Sequence, residues 1–233
     1  KWTGGGTDKK WTTKENWDQN NNYPGSAAGD TAFFDVSAVI DPAGAAYANA
    51  VDSLTLSGDV MLDFGENGNT LTLKKVVAQG GQVVVKTANK ARFKVSDGAD
   101  SPFEVTGATL TLQGDGATGA GKVELSGGGT LRLEAPVSTA NDLTITDGST
   151  LVFAEKGALS DVANNLTISK GSIVVEADVE DDVFPAMNGN SMKLEVGNLT
   201  INKGEAFGKT GVGGINELVL ESGDLTLNAK HSL

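Results

Sequence analysis

Cysteine is absent from the chain, which excludes disulfides, thiolate metal sites and a cysteine nucleophile. Histidine occurs once, as His231 near the end of the sequence. A Ser-His-Asp triad or a histidine-based zinc site would have to be assembled on the last few residues. Arginine occurs only as Arg92 and Arg132, within a net charge of −12. Nucleic acid and anionic membrane surfaces call for clustered cations, so neither is expected as a partner. No apolar run approaches the roughly 18 to 20 residues of a spanning helix, and no membrane span is expected. Bulky core fillers are scarce too, with three Trp, two Tyr and eight Phe against 31 Gly in 233 residues. Long helical periodicities are missing, and the balance is that of an all-β chain with many corners.

What is present is a repeat. Apolar-x-apolar triplets open successive units at Phe103, Val123, Leu143, Leu166, Leu199 and Leu218, with starts 20, 20, 23, 33 and 19 residues apart. Self-similarity at about twenty residues marks a solenoid, in which each unit buries its apolar face only by stacking on its neighbours. A second triplet follows at Leu110, Leu131, Leu151, Ile173 and Leu225, after turns at Gly107, Gly127, Gly148, Gly171 and Gly223. Two arrangements fit such a unit: a hairpin-based antiparallel β repeat, or a parallel β-helix whose glycines make corners. The middle residues favour the β-helix. Leu-Thr-Leu or Leu-Thr-Ile recurs at Leu54, Leu71, Leu110, Leu143, Leu166, Leu199 and Leu225. Thr stacked over Thr in parallel register forms an outer ladder that a hairpin does not need. Asn141, Asn164 and Asn216 precede first triplets by two residues, where amides can bond along the axis. The expected architecture is a single-domain right-handed parallel β-helix of about nine coils over residues 36–233.

Residues 1–35 differ from the rest. They carry all three tryptophans, Trp2, Trp11 and Trp17, then Tyr23-Pro24-Gly25 and the strand-like Asp30-Thr31-Ala32-Phe33. An open coil exposes unpaired backbone and apolar core, so a Trp-rich segment is expected to cap the stack. Trp2, Trp11, Trp17 and Tyr23 are also the candidate ligand residues, because aromatic faces stack on pyranose rings. The pattern of Trp-x-Gly, a later Trp, Asn16-Trp17, Pro24-Gly25 and Asp30-Thr31-Ala32-Phe33 resembles the opening of bacterial surface proteins of the autotransporter-associated β-strand repeat type. That resemblance implies Gly-rich Leu-Thr-Leu repeats folded as a right-handed β-helix, export, and a surface or passenger-like role. It carries no catalytic residues to this chain, which is shorter and more degenerate than typical members. The start at Lys1 reads as a mature or trimmed form, with removal of a signal peptide as the expectation.

The long spacing after Leu166 places about ten extra residues between Glu176 and Met192. Insertions in repeat proteins emerge as loops on one face, which makes this the expected position of a specific function. Asp178, Glu180, Asp181 and Asp182 are the candidate metal residues, since clustered carboxylates supply oxygen ligands to calcium. Their spacing matches no established calcium loop, and a solvated acidic loop is the simpler expectation. No cofactor is expected. Asn165-Leu166-Thr167 and Asn198-Leu199-Thr200 match the glycosylation sequon but lie in repeat strands, as by-products of the repeat. Parallel β-helices host polysaccharide lyases and hydrolases, which need aligned acids and bases. Here many carboxylates sit beside glycine in turns, as in Asp97-Gly98, Asp115-Gly116 and Asp147-Gly148. The expected function is a secreted or cell-surface structural or adhesive module without catalytic activity. A glycan or another surface protein is its expected partner, with end-to-end self-association through the last coil. The alternative is a carbohydrate-binding or polysaccharide-degrading β-helix.

Overall fold

The computed structural model describes residues 1–19, 21–41, 49–65, 70–88, 93–95, 103–115, 117–119, 123–138, 143–160, 166–176, 179, 183, 191–202 and 217–228. It is an all-β solenoid built from parallel strands, numbered in chain order. The first face stacks β1 (Thr31–Phe34), β3 (Ser53–Ser57), β6 (Val76–Thr87), β8 (Phe103–Gly114), β10 (Val123–Ser126), β13 (Leu143–Ile145), β16 (Leu166–Val175), β17 (Ser191–Ile201) and β18 (Glu217–Leu220). The second face stacks β2 (Ala38–Ile40), β4 (Val60–Phe64), β11 (Thr130–Leu133), β14 (Thr150–Phe153) and β19 (Leu225–Leu227) with the second halves of β6, β8, β16 and β17. Four of the fourteen strands in this sheet thus turn the corner and serve both faces, so each of these two faces holds nine rungs among the described residues.

A third face closes the cross-section. It is a five-stranded sheet of β5 (Leu71–Leu73), β7 (Phe93–Val95), β9 (Ala117–Gly119), β12 (Pro136–Ser138) and β15 (Ala158–Ser160). Every pairing between named strands is parallel, which rules out the hairpin arrangement. The coil therefore has three strands where the repeat showed two. On the missing side Leu71-Thr72-Leu73 and Phe93-Lys94-Val95 alternate but look like rungs of the other faces, while Ala-Thr-Gly and Pro-Val-Ser in the later coils carry no apolar alternation to read.

Alternation drives most of the described inward-facing apolar side chains into one core. Along β3 and β4 the buried positions are Leu54, Leu56, Val60, Leu62 and Phe64, none more than 2% exposed. On the second face Leu110, Leu131, Leu151, Ile173 and Leu199 stack in register, each over the next. Each fully buried side chain of this kind contributes about 1.5 to 3 kcal/mol, so this axial column is the main source of cohesion.

Several expectations about phase change. Leu199-Thr200-Ile201 does not open a coil: it pairs with Ile173-Val174-Val175 on the second face. The first-face triplet of that coil is Met192-Lys193-Leu194, in register with Leu166-Thr167-Ile168. The spacing of 33 residues is therefore a mis-phasing, because Leu-Thr-Ile occurs on both faces and a central Lys disguised the true start. The connection 176–190 is not exceptional either, since 88–102 and 202–216 also span fifteen residues each. Between β8 and β10 the register slips, so that Phe103 faces Leu125 rather than Val123. A two-residue slip keeps every inward residue inward.

The single Thr ladder also dissolves. Thr144 pairs with Thr167 on the first face and Thr200 with Thr226 on the second, while Thr111 is followed by Arg132. At the corner before Ser172 the left-handed residue is Lys170, with φ 63°, and not the expected Gly171. Gly171 is fixed instead by close approach, because a Cβ there would meet the carbonyl oxygen of Ser149 at 2.8 Å.

Candidate functional site

Two features stand out on this scaffold: the aromatic end and a carboxylate–guanidinium cluster. At the aromatic end the chain approaches the first rung from both sides. The N–H of Trp2 donates to the carbonyl of Phe33 (2.9 Å), and those of Asp41 and Trp11 bond with Lys9 and Asp41 carbonyls (2.9 and 3.0 Å). These bonds cover rung edges that would otherwise be unpaired. The expected boundary at residue 35 falls just after β1, which is already a rung of the stack.

Trp2, Trp11 and Trp17 are 5%, 0% and 2% exposed. Trp2 stacks on Phe34 with centroids 5.6 Å apart, while Trp17 meets Trp2 and Trp11 edge-on at 5.1 and 4.8 Å. Two of the three indole N–H groups have carbonyl partners: Trp11 Nε1 donates to the Pro24 carbonyl at 2.7 Å and Trp17 Nε1 to the Trp11 carbonyl at 2.8 Å. Tyr23 packs partly buried against the same cluster. Indoles buried to this degree offer no free face to a sugar ring, and their geometry is that of a plug.

The plug has a polar hinge-pin that composition did not reveal. Asn16 is fully buried on a short 3₁₀ turn, Lys14–Asn16. Its Nδ2 donates to the carbonyls of Asp8 and Lys10, both at 3.0 Å, and its Oδ1 accepts from the N–H of Gly6 at 2.8 Å. A Cβ at residue 6 would lie 2.7 Å from that oxygen, which accounts for glycine there. Nearby, the Thr13 hydroxyl, then the Lys10 N–H, holds the exposed Asp8 carboxyl below the usual carboxylate range. The only sequence signal for Asn16 was its place beside Trp17.

The second feature lies on the outer side of the second face. Arg132 donates through Nη1 and Nη2 to the two oxygens of Glu176 (2.6 and 3.0 Å) and through Nε to Glu134 Oε1 (2.7 Å). Gln113 Nε2 donates to Glu134 Oε2 at 2.7 Å. The Glu176 carboxylate, then Glu134, raises the guanidinium's already high pKa. Other ties follow the same axial logic. Lys75 pairs with Glu104, Lys74 with Asp52 and Lys86 with Asp63, each across neighbouring rungs, and Asn228 Nδ2 donates to Asn202 Oδ1 at 2.7 Å. That amide pair is a ladder of the expected kind, at other positions than those predicted: Asn141, Asn164 and Asn216 lie outside the described residues.

Asp178, Glu180, Asp181 and Asp182 also lie outside the described residues, as do His231 and Arg92. The described part of that stretch turns inward: Val179 and Val183 are 3% and 1% exposed. Among the described residues no group of three or more His, Asp or Glu is gathered closely enough to hold a metal ion. No helix among them is long and apolar enough to cross a membrane. Asn198, in one of the two sequons, accepts the Asp224 N–H on its side-chain oxygen at 3.0 Å. Comparison with protein-family models, with curated proteins and with solved structures yields no match to this chain.

Proposed function

We propose that this chain is an exported, non-catalytic scaffold module of a bacterial cell surface, adhesive or structural, that works by presenting its outer surface on a stiff stack. One observation carries the reading. Several outward polar groups among the described residues are spent on one another along the axis, as in Gln113–Glu134–Arg132–Glu176, Lys75–Glu104 and Asn202–Asn228, so that they fasten rung to rung. A surface arranged for catalysis keeps its acids and bases directed at a substrate. Exposed pairs of this kind add only about 0 to 1 kcal/mol each, so their main effect is to set register between rungs. The acidic charge and the resemblance of residues 1–35 to autotransporter-associated repeat proteins support the surface assignment.

The partner class is another surface protein or a glycan. Removing residues 178–190 outright would also take Val179 and Val183 out of the core, so charge neutralisation is the cleaner test. Asp178, Glu180, Asp181 and Asp182 changed together to Asn and Gln should leave thermal unfolding within a few degrees of the parent and abolish binding to a target found by glycan or surface-protein array. Unchanged binding would remove the acidic stretch from the site. Turnover of any polysaccharide in a lyase and hydrolase screen would overturn the scaffold reading itself.

A further inference from the structure

The Arg132 side chain does something the other axial ties do not: it skips a rung. Glu134, Ala154 and Glu176 each follow the last residue of a second-face strand, and their N–H groups donate to the carbonyls of Leu112, Leu133 and Phe153. They are equivalent positions on three successive rungs, with Ala154 between the two carboxylates. A methyl there leaves room for the guanidinium to pass over the middle rung and take Glu176 with both of its terminal nitrogens. The far end of that reach is the exit of β16. Just beyond it the Val179 N–H bonds the Glu176 carbonyl at 3.4 Å, and Val179 and Val183 return to the core.

We propose that Arg132 is a salt-sensitive latch that holds the exit of β16, at Glu176, Val179 and Val183, onto the stack. The side chains of Arg132, Glu134 and Glu176 are 27%, 14% and 33% exposed. Dissolved ions therefore reach the cluster and compete for it, while the valines supply a grip that salt does not weaken. The result is a segment with two fastenings, one ionic and one apolar, of which only the first responds to the medium. Any use of the latch in presentation rests on the function proposed above. The latch itself is read without a partner.

The test is amide hydrogen exchange at Glu176 and Val179 in the intact protein, at low salt and in about 1 M sodium chloride, where the Debye length falls to about 3 Å. Arg132→Met keeps the apolar stem of the side chain and removes its charge. It should speed exchange at these two amides roughly three- to fivefold at low salt, the range expected for an exposed multidentate ion pair. Amides of β3 and β4 should not change. High salt should bring the parent measurably toward the variant and leave the variant where it is. Glu176→Gln should behave like Arg132→Met, and the double variant should exchange no faster than either, which also keeps the test usable if one single variant folds poorly. Equal exchange in parent and Arg132→Met, or a salt response that survives in the variants, would overturn the latch. A latch that responds as described while the lyase and hydrolase screen finds polysaccharide turnover would sink the function proposed above and leave the latch standing.

Discussion

The first and last described rungs of the stack are built from similar strands and differ in how far they are buried. At the first, Trp2, Trp11 and Trp17 close over Phe34, and Ile40, Leu54 and Leu56 behind it are fully buried. At the last described rung Leu225 is only partly buried and Leu227 is 41% exposed, although Leu225-Thr226-Leu227 is as regular a triplet as any. Alternation therefore decides which way a side chain points, but the next layer decides whether pointing inward removes it from water. A rung is completed by its neighbour.

That contrast can be broken most forcefully at the aromatic end. Trp11→Ala should destabilise the protein by about 3 to 5 kcal/mol, because it opens a cavity beneath the plug and leaves the Pro24 carbonyl unpaired. Urea unfolding measures it, and a loss below ~1 kcal/mol would mean the plug is ornamental. Next comes a matched pair of truncations. Leu62→Ala, at a fully buried position, should cost about 2 to 5 kcal/mol, whereas Leu227→Ala should cost less than ~1 kcal/mol. Similar losses would show that the two ends are equally well closed in solution.

Asn16→Ala should cost about 2 kcal/mol, since it strands two carbonyls and one N–H inside the cap. Fluorescence of the tryptophans should report loosening of the cap at lower denaturant than loss of far-ultraviolet dichroism from the strands. Between the ends, Lys170→Gly should raise stability by about 1 kcal/mol by relieving a left-handed backbone at a residue with a Cβ. The smallest effect is one of pH. Asp8 has a lowered pKa in the folded state, so its contribution is present above its ordinary pKa and fades as the pH falls through the lowered value. Thermal unfolding of Asp8→Asn should accordingly show a shallower acid slope below pH 4 than the parent, by a margin small enough to need paired measurements.

The parallel stack, its core faces and the Trp-rich end were legible because alternation and glycine spacing report directly on strands and corners. What misled was repetition itself. Leu166-Thr167-Ile168 and Leu199-Thr200-Ile201 look equivalent yet lie on different faces, and only pairing partners separate them. The third face was illegible because Leu71-Thr72-Leu73 passes for a rung of the other faces, while strands such as Pro136–Ser138 are held by stacking and show no apolar alternation. Arg132 and Glu176 are 44 residues apart, and their meeting depends on the three-sided path that the sequence did not disclose. Asn16 was passed over for the opposite reason: a single buried amide beside Trp17 leaves no periodic trace.

The parallel, nearest-neighbour pairing has a mechanical consequence. Successive first-face partners lie between 20 residues apart, as from Val123 to Leu143, and 27, as from Val76 to Phe103. A load applied along the axis acts across one layer of pairing at a time, so coils should yield singly. Each would release about 70 to 90 Å of chain at ~3.4 Å per residue. A force-extension trace would then be a staircase whose step heights measure, coil by coil, how tightly each layer is fastened to the next.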